Sequence, residues 1–155
     1  MDKSALFERH RHALQQRLAD LKAASGSARS GTRVDGTHRP SNRGERAAVT
    51  SQGYLAHGLG LRAAEVEEAL RQLSLVDEGP RTRVSVGAVV TVELEDGTVR
   101  RLAVLPGGDG ARVDQVEVVS LRSPLVAPLV GLEEGDGAEV VRAGHSLDVE
   151  IIEVR

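Results

Sequence analysis

The sequence predicts an α+β protein in which an N-terminal antiparallel coiled-coil hairpin is followed by a compact, strand-rich domain. In the first half of the 155-residue chain, apolar residues recur at helical spacings of three, four and seven. From residue 83 the pattern changes to an alternation that is typical of strands. Charge changes in the same region: residues 1–76 hold 12 Lys and Arg against 8 Asp and Glu, and residues 77–155 hold 8 against 15. This asymmetry suggests two modules that meet different surfaces.

Two apolar stripes define the predicted hairpin, residues 1–76. Their alternating steps of three and four residues are typical of the seam between antiparallel helices. We expect Ser4 to cap the first helix and Gly26 to follow its last periodic residues. The polar segment near 33–46 would form the tip. The first stripe consists of Phe7, Leu14, Leu18 and Leu21, and the second of Leu55, Leu59, Arg62, Val66, Ala69 and Leu73.

A linker is expected at 77–82, before a domain at 83–155. Its first two strands would be joined at Glu95-Asp96-Gly97, because Asp-Gly tolerates positive φ. The segment "PGGDG" (106–110) predicts a loop, "VEVVSL" a third strand, and "HSLDVEIIEVR" a closing strand.

A short helix is predicted between these strands. Ser123 would cap it, Pro124 would be its first residue, and Gly131 would end it. Pro128 would lie in the middle of this helix and remove one backbone hydrogen bond.

Composition excludes several classes of function. The chain has no Cys, so thiolate metal sites and nucleophiles are impossible. Phe7 and Tyr54 are the only aromatic residues, which argues against base-stacking platforms. No apolar run approaches the roughly 18 residues of a membrane span, and the first residues are too charged for a signal peptide. We therefore expect a cytoplasmic protein without a membrane partner.

Several blocks of the C-terminal half resemble the bacterial GreA/GreB transcript-cleavage factors. "VSVGAVVTVELEDG" is similar to the opening strand pair of that family, "VVSLRSPLVAPLVGLEEGD" to its Ser-Pro-Leu block, and "LDVEIIEV" to its last strand. In the helical half, "QGYLAHGLGLRAAEVEEAL" is similar to the returning helix. The resemblance implies a coiled-coil hairpin followed by a GreA/GreB C-terminal FKBP-like domain.

The resemblance also implies a partner, RNA polymerase, and a mechanism. The globular domain of such factors docks at the rim of the polymerase secondary channel, and the coiled coil enters the channel. Two acids at the tip, in an Asp-x-x-Glu-Asn pattern, then help to hold a Mg²⁺ ion that activates water to cut backtracked RNA. By motif match, polymerase docking falls on Arg122, Ser123 and Pro124. The factor is not itself an enzyme, because it only completes the metal site of the polymerase.

The tip of this chain, "DGTHRPSNRGER" (35–46), departs from the acidic pattern. When Asn42 is aligned with the family asparagine, Ser41 and His38 fall where the two acids should be. Arginines surround these positions and would repel Mg²⁺. The predicted tip contacts are Arg33, Asp35, His38, Arg39, Arg43 and Glu45.

We therefore expect a monomeric transcription elongation factor that binds RNA polymerase and regulates transcription through the secondary channel without efficient cleavage stimulation. Arginines of the tip could contact phosphates of RNA or of a nucleotide. In one alternative, Asp35 and Glu45 form a displaced acidic pair and the chain is a true cleavage factor, with Mg²⁺ shared with the polymerase. In another, the chain is an interaction module for a different partner.

Other candidate chemistry is weaker. No metal site or cofactor of the chain's own is expected, since His38 with Asp35 supplies too few ligands. Glu45 also fits a helix-capping pair with Asn42. The remaining histidines, including His10, are expected to be solvated. Prolyl isomerase activity is rejected because residues 83–155 contain no aromatic residue.

Overall fold

The computed structural model of the chain describes residues 2–30 and 43–155. Two long helices, α1 (Lys3–Ser30) and α2 (Arg43–Ser74), precede six strands. The strands are β1 (Val89–Leu94), β2 (Val99–Val104), β3 (Asp109–Val113), β4 (Val116–Val119), β5 (Gly137–Arg142) and β6 (His145–Val154). A 3₁₀ helix lies at Ala127–Leu129. The α+β fold class is confirmed.

Residues 13–30 and 43–68 belong to one compact unit, which contains the distal parts of the two helices. Its seam is built mainly from small residues. Ser25 Oγ donates to the carbonyl oxygen of Ala56 at 3.4 Å, and Lys22 forms an ion pair with Glu67 at 2.7 Å. Small side chains permit a close approach of the two backbones. The buried residues of this unit are Leu14, Ser25, Ala28, Ala56, Ala63 and Val66.

The predicted stripes are confirmed in part. Phe7, Leu14, Val66, Ala69 and Leu73 are buried as expected. Leu55 is 51% exposed and Arg62 is also exposed, so placing both on the seam was wrong. The seam shifts to Ala56 and Ala63, which a search for large apolar residues does not select.

The expected ends of α1 were also wrong. The helix begins at Lys3, and Asp2 rather than Ser4 provides the cap, because Asp2 Oδ1 accepts the backbone N–H of Ser4 at 3.0 Å. The helix continues through Gly26 to Ser30. An exposed glycine inside a helix costs only about 1 kcal/mol, which the surrounding turns can offset.

The second compact unit comprises residues 2–12 of the described chain together with 69–155. Its six-stranded sheet has the order β3-β4-β2-β1-β6-β5, in which all neighbouring strands are antiparallel except β2 and β4. One face of the sheet carries a continuous apolar core. This core includes Val90, Val92, Leu102, Val104, Leu129, Val140, Val149 and Ile151.

The strand predictions were correct for β1, β2, β4 and β6, including the turn at Glu95-Asp96-Gly97, where Gly97 has φ +79°. Placing all of 106–110 in a loop was wrong, because β3 begins at Asp109. β3 is an exposed edge strand and lacks the apolar alternation by which strands are identified. Its turn to β4 uses Asp114 and Gln115, both at positive φ, without a glycine to signal it.

His10 is buried, with 5% of its surface exposed, so the expectation of a solvated histidine was wrong. Its Nε2 donates to the carbonyl oxygen of Pro106 at 2.8 Å, which ties the first turns of α1 to the loop after β2. Burial lowers the pKa of His10, although the Pro106 carbonyl and Asp109 act in the opposite direction. The neutral imidazole is therefore the form that fits this position.

This burial predicts a loss of stability in acid. Below a pH of about 6.5 an unfolded His10 takes up a proton that the folded protein resists, so the free energy of unfolding should fall as the pH falls. Urea unfolding at pH about 7.5 and about 5.5 measures this loss. His10→Gln, which keeps a donor for Pro106, should reduce the loss, whereas the exposed control His12→Gln should retain it. Equal pH dependence in both variants would contradict this assignment.

Candidate functional site

The candidate docking site is a surface loop, residues 121–131, that follows β4. Its buried side chains anchor it to the core of the sheet: Leu125, Val126 and Leu129 have exposures of 7%, 1% and 0%. The backbone closes in successive turns, with the N–H of Ser123 donating to Ser120 O at 3.0 Å and that of Val126 to Ser123 O at 2.9 Å. We call this segment the docking loop. Its anchors hold the backbone in place without using the predicted contact residues.

The three predicted docking residues lie together on the outer side of this loop. Arg122 and Pro124 are exposed, and Ser123 is half-buried between them. Within the described part of the chain, Arg122 has no ion pair or hydrogen bond to its side chain. Its guanidinium is therefore available to a carboxylate of a partner protein.

The short helix differs from its prediction. It is a single 3₁₀ turn, Ala127–Leu129, whose N-cap is Val126, and no side chain caps it. The carbonyl of Ser123, rather than its hydroxyl, accepts the N–H groups of Val126 and Ala127. Pro128 lies in the first turn, where a missing N–H removes no helical hydrogen bond. The expected loss at Pro128 was therefore wrong.

Two apolar residues flank the predicted contacts. Leu121 is 37% exposed and Val130 is 45% exposed. With Pro124 they give the docking loop exposed apolar surface beside one arginine. Such a mixture of apolar contact and a single cation is common at protein interfaces, where arginine is enriched and lysine is depleted.

A second attachment point fixes the far end of the docking loop. Gly131 has φ +85°, and its N–H donates to Val84 O at 2.8 Å, while the N–H of Val84 donates to Leu132 O at 2.9 Å. Arg83 and Glu133 form a bridge and an ion pair at 2.6 Å. The residues before β1 thus hold the loop from the other side. Sequence reasoning missed this pairing because 83–84 and 131–133 are far apart along the chain.

Only two of the six predicted tip residues, Arg43 and Glu45, fall within the described residues. Arg33, Asp35, His38 and Arg39 lie outside the described residues, as does Asn42. Arg43 is the exposed first residue of α2, and Glu45 is half-buried in its first turn. A carboxylate near a helix N-terminus is favoured by the helix dipole, and Glu45 has an interaction partner. Among the described residues, no group of three histidine or acidic side chains could hold a metal ion.

Comparison with known proteins identifies the family. Residues 79–155 match the model of the C-terminal domain of the transcription elongation factors GreA/GreB. GreA of Paracoccus denitrificans is 34% identical over 98 residues, which cover 61% of this chain and 60% of that protein. GreA of Methylococcus capsulatus is 28% identical over 163 positions, which cover 100% of this chain and 99% of that protein. The chain belongs to the GreA/GreB family.

Two solved structures extend the comparison of this GreA/GreB-family chain. GreA factor homolog 1 of Thermus thermophilus is 16% identical, with 96% of this chain and 94% of that chain covered and a TM-score of 0.40. GreA/GreB of Nitrosomonas europaea is 26% identical, with 57% of this chain and 78% of that chain covered and a TM-score of 0.38.

Neither helix in the described ranges 2–30 and 43–155 has an apolar stretch long enough to cross a membrane.

The anchors of the docking loop should be essential for stability. Leu129→Ala should lower the free energy of unfolding by about 2 to 5 kcal/mol, because Leu129 is fully buried and its removal leaves a cavity. The neighbouring control Val130→Ala, at a side chain that is 45% exposed, should change it by only about 0.5 kcal/mol. Urea unfolding of both variants provides the measurement. Similar losses in the two variants would show that the loop is not anchored as described.

Proposed function

We propose that this GreA/GreB-family chain binds RNA polymerase through its docking loop and regulates transcription through the secondary channel, without efficient stimulation of RNA cleavage. The observation that carries the proposal is the family match over 79–155, which includes the whole docking loop. The first of the relatives named above is matched over only 60% of its length, so activity and partner are proposed here for this chain.

The docking loop supports the first part of the proposal. Arg122 and Pro124 are presented on the surface, and Leu125, Val126 and Leu129 are buried beneath them. A contact surface with buried anchors is already ordered before it binds, so little conformational entropy is lost on association. Arg122 would pair with an acidic side chain of the polymerase, and Leu121 and Val130 would contact apolar surface around that pair.

The length of the helices supports the second part. At 1.5 Å per residue, the 28 residues of α1 span about 42 Å and the 32 residues of α2 about 48 Å. The two ends of each helix therefore lie about 40 Å or more apart. This length suits an element that reaches into a channel.

The charge of the distal segment supports the absence of efficient cleavage. Residues 33–46 contain Arg33, Arg39, Arg43 and Arg46 against Asp35 and Glu45. A Mg²⁺ ion prefers anionic oxygen ligands and is repelled by nearby guanidinium groups. Glu45 lies in the first turn of α2 and already has an interaction, so it is a poor candidate for a free metal ligand. Such a segment is better suited to phosphate groups than to Mg²⁺.

Charge reversal in the docking loop tests the proposed partner. Arg122→Glu should weaken binding to purified RNA polymerase by about tenfold or more, as expected when a central arginine of an interface is lost. Arg142→Glu, an exposed charge reversal on β5, is the matched control and should bind normally. Binding can be measured by fluorescence anisotropy of the labelled factor. If wild-type protein fails to bind polymerase, the chain is an interaction module for another partner.

A backtracked elongation complex tests the proposed activity. Wild-type protein should leave the RNA cleavage rate within about twofold of the intrinsic rate and should slow elongation, because the basic tip does not supply a Mg²⁺ ligand. Replacing Arg39 and Arg43 together by Ala should relieve the inhibition, whereas the exposed Arg112→Ala on β3 should not. Strong cleavage stimulation that is lost in Asp35→Ala or Glu45→Ala would instead establish a true cleavage factor.

A further inference from the structure

A small pocket lies on the face of the sheet opposite the apolar core, where the first residue of α1 meets β1, β2 and β6. Its volume is about 90 Å³, and it is lined by Lys3, Val89, Thr91, Arg101, Glu153 and Arg155. All six residues belong to the same compact unit. We call this site the basic pocket.

The register of the sheet brings these side chains together. Thr91 on β1 lies opposite Arg101 on β2 and opposite Glu153 on β6, and directly opposed residues share one face of a sheet. Val89, two residues before Thr91, lies on the same face, and its backbone exchanges two hydrogen bonds of 2.9 Å with Arg155. The pocket therefore has a regular strand floor rather than a loop.

The charged side chains that line this pocket are not balanced. Three are cationic, those of Lys3, Arg101 and Arg155, and one is acidic, that of Glu153. Arg155 uses that carboxylate, since its Nε and Nη2 lie 2.7 and 2.6 Å from Glu153 Oε1. Within residues 2–30 and 43–155, Arg101 has no ion pair or hydrogen bond to its side chain, and Thr91 has no hydrogen bond to its hydroxyl. A cation and a hydroxyl therefore face the same space without a protein partner in the described chain.

Lys3 contributes a second cation, and the surroundings of Lys3 disfavour its charged form. Its Nζ donates to the carbonyl oxygen of Gly79 at 2.7 Å and to the backbone oxygen of Arg155 at 3.3 Å, which leaves one of its three N–H donors for a ligand. Burial lowers the pKa of Lys3, and the neighbouring Arg81 lowers it further, against the opposite effect of Asp77 and Glu78. An anion in the pocket would offset both the burial of the ammonium and the repulsion from Arg81.

We propose that the basic pocket binds a phosphate oxyanion, held by Arg101, Lys3 and the hydroxyl of Thr91. The volume of about 90 Å³ equals that of about three liquid water molecules, which is room for one tetrahedral anion. Arginine donates two parallel hydrogen bonds to such an anion, and lysine provides a point charge. The anion is either free inorganic phosphate or the terminal phosphate of a nucleotide. This proposal does not depend on binding to RNA polymerase.

Calorimetric titration of the full chain with inorganic phosphate, in a phosphate-free buffer at low salt, tests the pocket. Wild-type protein should bind one phosphate with a Kd in the millimolar range or below. Arg101→Gln should weaken binding about tenfold, because one charge-assisted pair of hydrogen bonds is lost. Thr91→Val should weaken it less. Arg112→Gln, an exposed arginine on β3 that lies outside the pocket, is the matched control and should bind as wild type does.

A second titration with a nucleoside triphosphate distinguishes the two sources of phosphate. Tighter binding of the triphosphate, lost in Arg101→Gln, would assign the pocket to a nucleotide, and equal or weaker binding would assign it to free phosphate. Circular dichroism of each variant verifies that the fold is intact. Absence of saturable phosphate binding by the wild type overturns the proposal. Equal weakening in Arg101→Gln and Arg112→Gln also overturns it, since that result indicates a nonspecific charge effect.

Discussion

The packing of the docking loop against the inner face of the sheet is the interaction on which the candidate site depends. Leu125, Val126 and Leu129 contribute to the same core as Val92 and Ile151 of the central strands. This burial fixes a segment that has only one 3₁₀ turn of regular structure. Without it, a loop of this length would sample many conformations, and their loss on binding would weaken any contact made by Arg122.

The same sheet separates two kinds of surface. Its inner face supports the docking loop through aliphatic side chains, because residues 83–155 contain no aromatic residue. Its other face carries polar side chains, among them Thr91, Arg101 and Glu153, which the register places in one row. An anion bound in this row would act on the start of α1, since Lys3 belongs both to that helix and to the pocket. The proposed protein partner would contact the docking loop instead.

The charges of residues 33–46 distinguish what family membership specifies from what it leaves open. Relatives named GreA share the C-terminal domain with this chain, but their name alone does not specify the chemistry of the tip. That chemistry depends on whether residues 33–46 present carboxylates or guanidinium groups, because the two have opposite effects on a bound cation. Family membership therefore describes the scaffold, and the proposed lack of efficient cleavage stimulation rests on the local charge of residues 33–46.

The amino-acid sequence by itself determined the α+β class, the two long helices and the strands β1, β2, β4 and β6, because local periodicity encodes which face of an element is buried. The family resemblance also assigned polymerase docking to Arg122, Ser123 and Pro124, and that role stays a prediction. Tertiary structure alone decided the features that depend on distant neighbours. These are the edge strand β3, the small-residue seam at Ala56 and Ala63, the burial of His10 and the basic pocket. The pocket joins Lys3 to residues of the strands and the C-terminal end that are distant along the chain, and no local pattern encodes such a contact.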